Sequence, residues 1–279
     1  MKLISLYAKY VRTFNFYHLD YNYFYSINCH YGFVKEYAKM KKLIVITGAS
    51  SGFGKALAQE FAKDGYPMLL LARRIDLLKE MNLANTICEK VDVTDKEAFE
   101  SAVRKAEAIY GKTDLIINNA GLMLLGNLEN QNPEEWKRML DVNVMGVMNG
   151  MQIVMNDMKE RNCGTIVNLS SLAGVKAFGN HAAYCASKYG VIGLSEVARM
   201  ELSSHNVRVI RICPGAVSTE LLSHTTSDEI KTGYNEWKDS TGVGAIKPQD
   251  IAKTIKFAYE MPQGVNLREI QIADTRQDA

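Results

Sequence analysis

Residues 43–54 read Leu43-Ile44-Val45-Ile46-Thr47-Gly48-Ala49-Ser50-Ser51-Gly52-Phe53-Gly54 and run on into Lys55-Ala56-Leu57-Ala58-Gln59-Glu60-Phe61-Ala62-Lys63. The opening aliphatic and β-branched run predicts a strand buried on both faces, and the alanine- and charge-bearing segment behind it predicts a helix. Between them lies a turn with three glycines. Such a turn lets backbone N–H groups approach an anion, and the following helix points its partly positive N-terminus at the same spot, so a pyrophosphate fits there. The spacing is G-x-x-x-G-x-G and meets the generic G-x-G-x-x-G fingerprint only approximately. Taken alone, the turn could also be a tight strand-to-helix connection.

Strand and helix patterns alternate from there onward. A second apolar run over 67–72 is followed at once by Arg73-Arg74 and a helix over 75–83, and a third strand over 86–91 leads to Asp92-Val93, with Thr94 expected to cap a helix over 95–109. A fourth strand over 114–118 runs into Asn119-Ala120-Gly121, and Pro133 opens a long helix to about residue 160. The methionines of that helix, Met139, Met145, Met148, Met151, Met155 and Met158, read as core or subunit-interface packing rather than a cofactor box. A fifth strand over 164–171, a helix over 181–203, a sixth strand over 207–213, a helix over 248–259 and a short strand over 268–272 complete the pattern. This order predicts a single-domain, Rossmann-type, doubly wound α/β fold: a mostly parallel seven-stranded sheet with helices on both faces. The strand ends carry Thr47, Asn118, Ser171 and Pro214, and open α/β sheets bind ligands at those ends.

Composition excludes several classes. A chain of 279 residues with 47% hydrophobic content can bury one sizeable α/β core. The net charge of +2, without a basic cluster interleaved with aromatics after residue 40, argues against a nucleic-acid partner. Five cysteines (Cys29, Cys88, Cys163, Cys185, Cys213) lie far apart without C-x-x-C spacing, which reads as reduced thiols in a cytoplasmic setting. The histidines do not cluster with acids or cysteines at ligand spacing, so a metal is not expected.

Residues 1–39 differ from the rest. They hold eight of the fourteen tyrosines, with Asn, Lys and Phe filling most of the gaps. No apolar run reaches the ~18 residues of a membrane span, and a signal-peptide layout is absent. Alternation over 14–25 would suit an extra strand, but the composition is what an A/T-rich non-coding leader would encode, and Met40 precedes the first strand directly. We expect a non-native or disordered leader over 1–39 and a dinucleotide-binding catalytic domain over 40–279. The intact mass of the protein from its own organism tests this; a mass that includes the leader would refute it.

Tyr184-Cys185-Ala186-Ser187-Lys188 falls on the helix after strand five, so phenol and ammonium share a face about 6 Å apart along the axis. Proton exchange with an alcohol at neutral pH needs a phenol pKa near 7 rather than 10, a difference of roughly 4 kcal/mol that a nearby ammonium and a positive nicotinamide could largely provide. Ser171 stands at the end of the preceding strand, aimed at the same pocket. A lone Tyr-x-x-x-Lys pair is usually an amphipathic surface; beside Ser171 and the glycine turn it reads as chemistry.

From Lys41 onward, over nearly all of 41–273, the chain resembles the short-chain dehydrogenase/reductase family. T-G-x-x-x-G-x-G matches Thr47 to Gly54, N-N-A-G matches Asn118 to Gly121, Y-x-x-x-K matches Tyr184 and Lys188, and Ser171, Asn143 and Pro214-Gly215 match further motifs in order. The resemblance implies a tetrad: Tyr184 as acid/base, Lys188 lowering its pKa and binding the nicotinamide ribose, Ser171 orienting the carbonyl, and Asn143 holding a water in a relay to Lys188. It also implies coenzyme contacts from Thr47, Gly48, Ser50, Ser51, Gly52, Phe53, Gly54, Arg73, Arg74, Asp92, Val93, Asn119, Ala120, Gly121, Tyr184, Lys188, Pro214, Gly215, Val217 and Thr219.

An acidic residue at the end of strand two would accept the ribose hydroxyl of NAD, whereas arginine can pair with a 2′-phosphate; Ala72-Arg73-Arg74 therefore predicts NADP(H). Residues 221–245 should form the variable lid over the substrate, carrying Leu222, Ile230, Tyr234 and Trp237 among polar residues, with Gly233, Gly242 and Gly244 as hinges. The expected reaction is reversible hydride transfer on a small or medium carbonyl compound or its alcohol. Gly52-Phe53-Gly54 and the ending Arg268–Ala273 resemble the branch acting on 3-hydroxy acids and related aldehydes. The alternatives are a 3-oxoacyl thioester reductase, with Lys231 and Lys238 as a docking patch, and a non-catalytic NADP-sensing or scaffolding protein. The long helices over 133–160 and 181–203 resemble the family's subunit interface, implying a homotetramer or homodimer without nucleic-acid or membrane partners.

Overall fold

The computed structural model describes residues 41–242, 244 and 246–277. The leader expected over 1–39 lies outside the described residues. Seven strands, β1 (Leu43–Thr47), β2 (Met68–Ala72), β3 (Thr86–Lys90), β4 (Thr113–Asn118), β5 (Gly164–Leu169), β6 (Val207–Pro214) and β7 (Glu269–Ile272), form one sheet in the order β3-β2-β1-β4-β5-β6-β7. Every pairing is parallel, so the sheet goes beyond the mostly parallel one read from sequence. From β1 the chain winds outward to β3, then returns to the other side of β1 at β4. That reversal opens a crevice at the carboxyl ends of β1 and β4.

Alternation along the strands divides the core in two. Ile44, Ile46, Met68 and Leu70 pack with Leu57 and Phe61 of α1 (Gly52–Ala62) and with Ile251 and Ile255 of the helix Pro248–Glu260. Leu43, Val45, Leu69 and Leu71 pack on the other face with Phe99 and Val103 of the helix Lys96–Tyr110 and with Val154 and Met158 further along the chain. In chain order the helices are α1, α2 (Ile75–Glu80), α3 (Lys96–Tyr110), α4 (Pro133–Leu140), α5 (Gly146–Arg161), α6 (Ala182–Leu202), α7 (Asp228–Thr241) and α8 (Pro248–Glu260). The cap of α3 is Asp95, whose carboxylate accepts from the Ala98 N–H at 3.0 Å; Thr94 instead donates its hydroxyl to Asp92.

The long helix expected from Pro133 is split. A π turn over Asp141–Met145 joins α4 to α5, with the Gly146 N–H reaching back to the Asp141 carbonyl. The extra residue per turn rotates Asn143 into the interior, where it is fully buried. The lid also differs from expectation: Gly233 lies inside α7, whereas Gly242 ends that helix at φ +64° and Gly244 has φ +126°, so only the last two sit where a hinge needs glycine.

Candidate active site

The glycine turn is built to leave donors free. Ser51 occupies the N-cap of α1, yet its side chain caps nothing, and the first turn carries no acidic residue. The N–H groups of Gly52, Phe53 and Gly54 therefore keep the positive end of the helix open to an anion. Gly48 and Gly52 adopt φ of +64° and +51°, a region that disfavours a side chain. Over this turn lies Arg74, whose Nη2 donates to Ser51 Oγ at 2.8 Å and to Ser50 Oγ at 3.3 Å. Open helix N–H groups, two hydroxyls and a guanidinium are the donor set that the phosphates of a dinucleotide require, and the residues present fit that coenzyme.

Thr47 braces the turn instead of lining the crevice, and Asn119 does both. Thr47 is 2% exposed, and its hydroxyl accepts from the N–H groups of Asn119 and Ala120 at 2.9 and 3.0 Å. The Asn119 amide donates to the carbonyls of Thr47 and Gly48 at 2.8 and 3.2 Å. The ends of β1 and β4 are thus fastened together, and Thr47 points into the fold. Asn118 likewise stays within the sheet, donating to Asn168 Oδ1 at 2.8 Å, and does not join the cleft. Gly48, Ser50, Ser51, Gly52, Phe53, Arg73, Arg74, Asp92, Val93, Asn119, Ala120, Gly121, Tyr184, Lys188 and Thr219 line the coenzyme side of the crevice. Pro214, Gly215, Val217 and Thr219 line its continuation under α7. Gly54 lies behind the turn.

Tyr184 stands where the two parts of the crevice meet, and lines both. Ser171 is near enough to its phenol to lower the phenol's pKa, while the Ser171 hydroxyl accepts from the Ala173 N–H at 3.0 Å and donates to the Pro214 carbonyl at 3.4 Å. Lys188 Nζ lies 5.7 Å from the centre of the Tyr184 ring and donates to the Leu169 carbonyl at 2.9 Å. Sequence spacing thus brings Tyr184, Lys188 and Ser171 together. Asn143 is braced beside them: its Oδ1 accepts from Leu122 N at 2.7 Å, and its Nδ2 donates to Leu122 O at 2.9 Å and Ser187 Oγ at 3.0 Å. Both Nδ2 protons are thus engaged, whereas Oδ1 keeps a second lone pair.

The electrostatics also depart from the simple reading. Burial raises the Tyr184 phenol well above its ordinary pKa, and the nearby Ser171 offsets only part of this. The Lys188 ammonium is itself disfavoured by burial, which lowers its pKa to about 8. Without coenzyme, desolvation outweighs the attraction that sequence spacing implied.

A prediction follows for stability. Lowering from 10.5 to about 8 corresponds to about 3 kcal/mol against the folded state at neutral pH. Lys188→Met removes that cost but leaves the Leu169 carbonyl without its donor, about 1–2 kcal/mol, so the unliganded variant should be about 1 kcal/mol more stable at pH 7. Between pH 8 and 10.5 the unfolded wild-type chain holds a proton that the folded chain has released, so wild-type stability rises with pH and the difference shrinks. Denaturant unfolding at pH 7 and 10 reads both effects.

Some neighbours carry no signal in the sequence. Glu220 accepts from both Nη atoms of Arg74 at 3.1 Å, closing an ion pair across the coenzyme crevice. Ser170 donates to the Lys188 carbonyl at 2.9 Å and pins that turn of α6 to β5. His181 lies 6.2 Å from the Tyr184 ring, centre to centre.

A parallel sheet with this crossover, an open phosphate turn and a Tyr–Lys–Ser cluster at its mouth define a dinucleotide-dependent oxidoreductase. The family described as short chain dehydrogenase matches residues 42–230, and the chain belongs to it. An uncharacterized oxidoreductase of Listeria monocytogenes is 38% identical over 244 residues, covering 85% of this chain and 97% of that protein. An NAD-dependent glycerol dehydrogenase of Listeria innocua is 36% identical over 193 residues, 68% of this chain and 76% of its own. Among solved structures, the closed form of serine dehydrogenase complexed with NADP+ superposes with a TM-score of 0.78 at 27% identity, covering 85% of this chain and 96% of that one. The protein is thus a short-chain dehydrogenase/reductase oxidoreductase using NAD(P). Among the described residues no helix is long and apolar enough to cross a membrane.

Proposed function

We propose that the protein is an NADP(H)-dependent reductase that interconverts a small or medium carbonyl compound and its alcohol. The observation that carries this reading is the Tyr184 phenol at the junction of the two parts of the crevice, with Ser171 beside it and Lys188 against its ring. The bound coenzyme supplies hydride at nicotinamide C4 and, when oxidised, a positive charge. Ser171 holds the substrate oxygen, and Tyr184 gives that oxygen a proton in reduction and takes it back in oxidation. Lys188 holds the ribose of the coenzyme, and Asn143 holds a water on the proton path behind it. A panel of carbonyls and hydroxy acids, 3-hydroxy acids included, followed at 340 nm with each coenzyme tests the reading; no coenzyme-dependent turnover of any would sink it in favour of a sensing or scaffolding role.

The preference for NADP(H) rests on Arg73 and Arg74 at the end of β2. The serine dehydrogenase likeness, described with NADP+, agrees with it, whereas the glycerol dehydrogenase relative is named as NAD-dependent. Glu220 on Arg74 is no obstacle: both partners are more than half exposed, such a pair is worth under about 1 kcal/mol, and a phosphate can replace it. Arg73→Asp should raise the KM for NADPH about 10-fold or more, the value of a charge-assisted hydrogen bond, while improving NADH. Steady-state kinetics with both coenzymes checks this; an unchanged NADPH KM would mean that Arg73 is only solvated.

The cleft under α7 is about 1840 Å³, room enough for more than a small carbonyl. The thioester reading nevertheless loses part of its docking patch, because Lys231 is paired with Asp228 at 2.6 Å and Lys238 donates to Ser218 at 3.0 Å. The chain assembles as a homodimer or homotetramer through α5 and α6: Met148, Val197 and Met200 are exposed on them, whereas Met139, Met151 and Met158 are buried. Light scattering that finds a monodisperse monomer would rule this out.

A further inference from the structure

His181 stands at the N-cap of α6 with Phe178, Tyr184 and Tyr234 around its ring. Its centre lies 5.7 Å from that of Phe178, 6.2 Å from Tyr184 and 6.2 Å from Tyr234, the last reaching in from α7. Nδ1 is 2.5 Å from the Gly179 carbonyl oxygen. A carbonyl only accepts, so the proton sits on Nδ1 and Nε2 keeps its lone pair. Burial lowers the pKa of this histidine, and the ring is neutral at pH 7. Tyr234 is held by its ring, which also meets Trp237 at 5.5 Å, and its hydroxyl forms no hydrogen bond with another described residue. Burial raises its pKa, so it keeps its proton. Both residues line the cleft beside Tyr184. The rim therefore carries one neutral acceptor and one neutral donor, neither used by the reaction described above.

We propose that His181 Nε2 and the Tyr234 hydroxyl form a subsite for a hydroxyl group adjacent to the reacting carbonyl, so that the preferred substrate is a hydroxy ketone or hydroxy aldehyde and its product a vicinal diol. A hydroxyl is the small group that donates to one of these atoms while accepting from the other. A carboxylate would meet the Nε2 lone pair, an ammonium would leave the Tyr234 proton without an acceptor, and a methyl group would strand both polar atoms. The inference rests on the reading that Tyr184 protonates the reacting oxygen, because the subsite is defined by its distance from that ring.

The test compares kcat/KM for hydroxyacetone and for butanone, which differ by a hydroxyl in place of a methyl, with saturating NADPH. The wild-type enzyme should favour hydroxyacetone by about 10-fold or more, the value of one or two neutral hydrogen bonds. Tyr234→Phe should cut that ratio about 10-fold, mainly through the KM for hydroxyacetone. His181→Phe should do the same, and His181→Gln, whose amide reaches the place of Nε2, should recover part of it. A wild-type ratio near one, no reduction of hydroxyacetone, or a ratio unmoved by both Tyr234→Phe and His181→Phe would overturn the proposal. Tyr184→Phe separates the two failures: if it stays active on both ketones the catalytic reading falls, whereas its inactivity with an unmoved ratio in the rim variants removes the subsite alone.

Discussion

Tyr184→Phe should lower kcat by about 10²–10⁴-fold, the usual contribution of a positioned acid or base, while the KM for NADPH changes little. The ring stays, and it is the ring that fills this part of the core: Tyr184 is 5% exposed and packs with Leu122, Met139 and Cys185. Only the hydroxyl beside Ser171 is lost, so the variant should fold and bind coenzyme. The pH dependence of the wild-type enzyme follows from the direction of the phenol shift. Burial holds Tyr184 protonated well beyond neutral pH, so the acid needed for carbonyl reduction is present throughout that range. Alcohol oxidation needs the phenolate, and its rate should climb with pH below the apparent pKa, while reduction stays flat. Turnover of Tyr184→Phe within a factor of ten of wild type, in either direction, would remove the phenol from the proposed chemistry.

What could be read beforehand follows how far each contact reaches along the chain. The strands and the glycine turn are written in local patterns: runs such as Leu43–Thr47 and Met68–Ala72 are buried on both faces, as parallel strands require. Tyr184 and Lys188 could be paired because four residues make one helical turn. Thr47 illustrates a limit. Its motif marks it as a coenzyme contact, yet its hydroxyl is taken up by the N–H groups of Asn119 and Ala120, more than seventy positions away. Arg74 and Glu220 are 146 residues apart, and nothing local to either announces the other. The same holds for His181 and Tyr234, whose meeting depends on how α7 is laid over α6. The sign of the Tyr184 shift was lost for a different reason. Spacing reports the lysine, but not that both groups are buried, and burial is the larger effect.

Gly54→Ala should destabilise the protein by about 3 kcal/mol, near the upper end for overpacking, and weaken NADPH binding at least tenfold. An added Cβ would stand only 2.3 Å from the Gly48 carbonyl oxygen, 2.7 Å from Asn119 Nδ2 and 2.8 Å from Ala49 Cα. Two of these are backbone atoms, which cannot swing aside as the end of a flexible side chain would. The turn must therefore move away from α1, and the Asn119 brace with it. The sign is diagnostic: Gly54 lies within α1, where an unobstructed Gly→Ala change gains up to about 1 kcal/mol. Gly65→Ala separates the clash from generic glycine effects, since its φ of +70° is strained for alanine but no atom lies within 4 Å of the added Cβ. It should lose about 1–2 kcal/mol and leave NADPH affinity unaltered. A loss of about 3 kcal/mol in Gly54→Ala lowers Tm by roughly 6–12 °C for a chain of this size, and coenzyme titration by fluorescence reads the affinity. A Tm for Gly54→Ala at or above that of wild type, with NADPH binding intact, would mean that the third glycine is not what holds the turn against the helix.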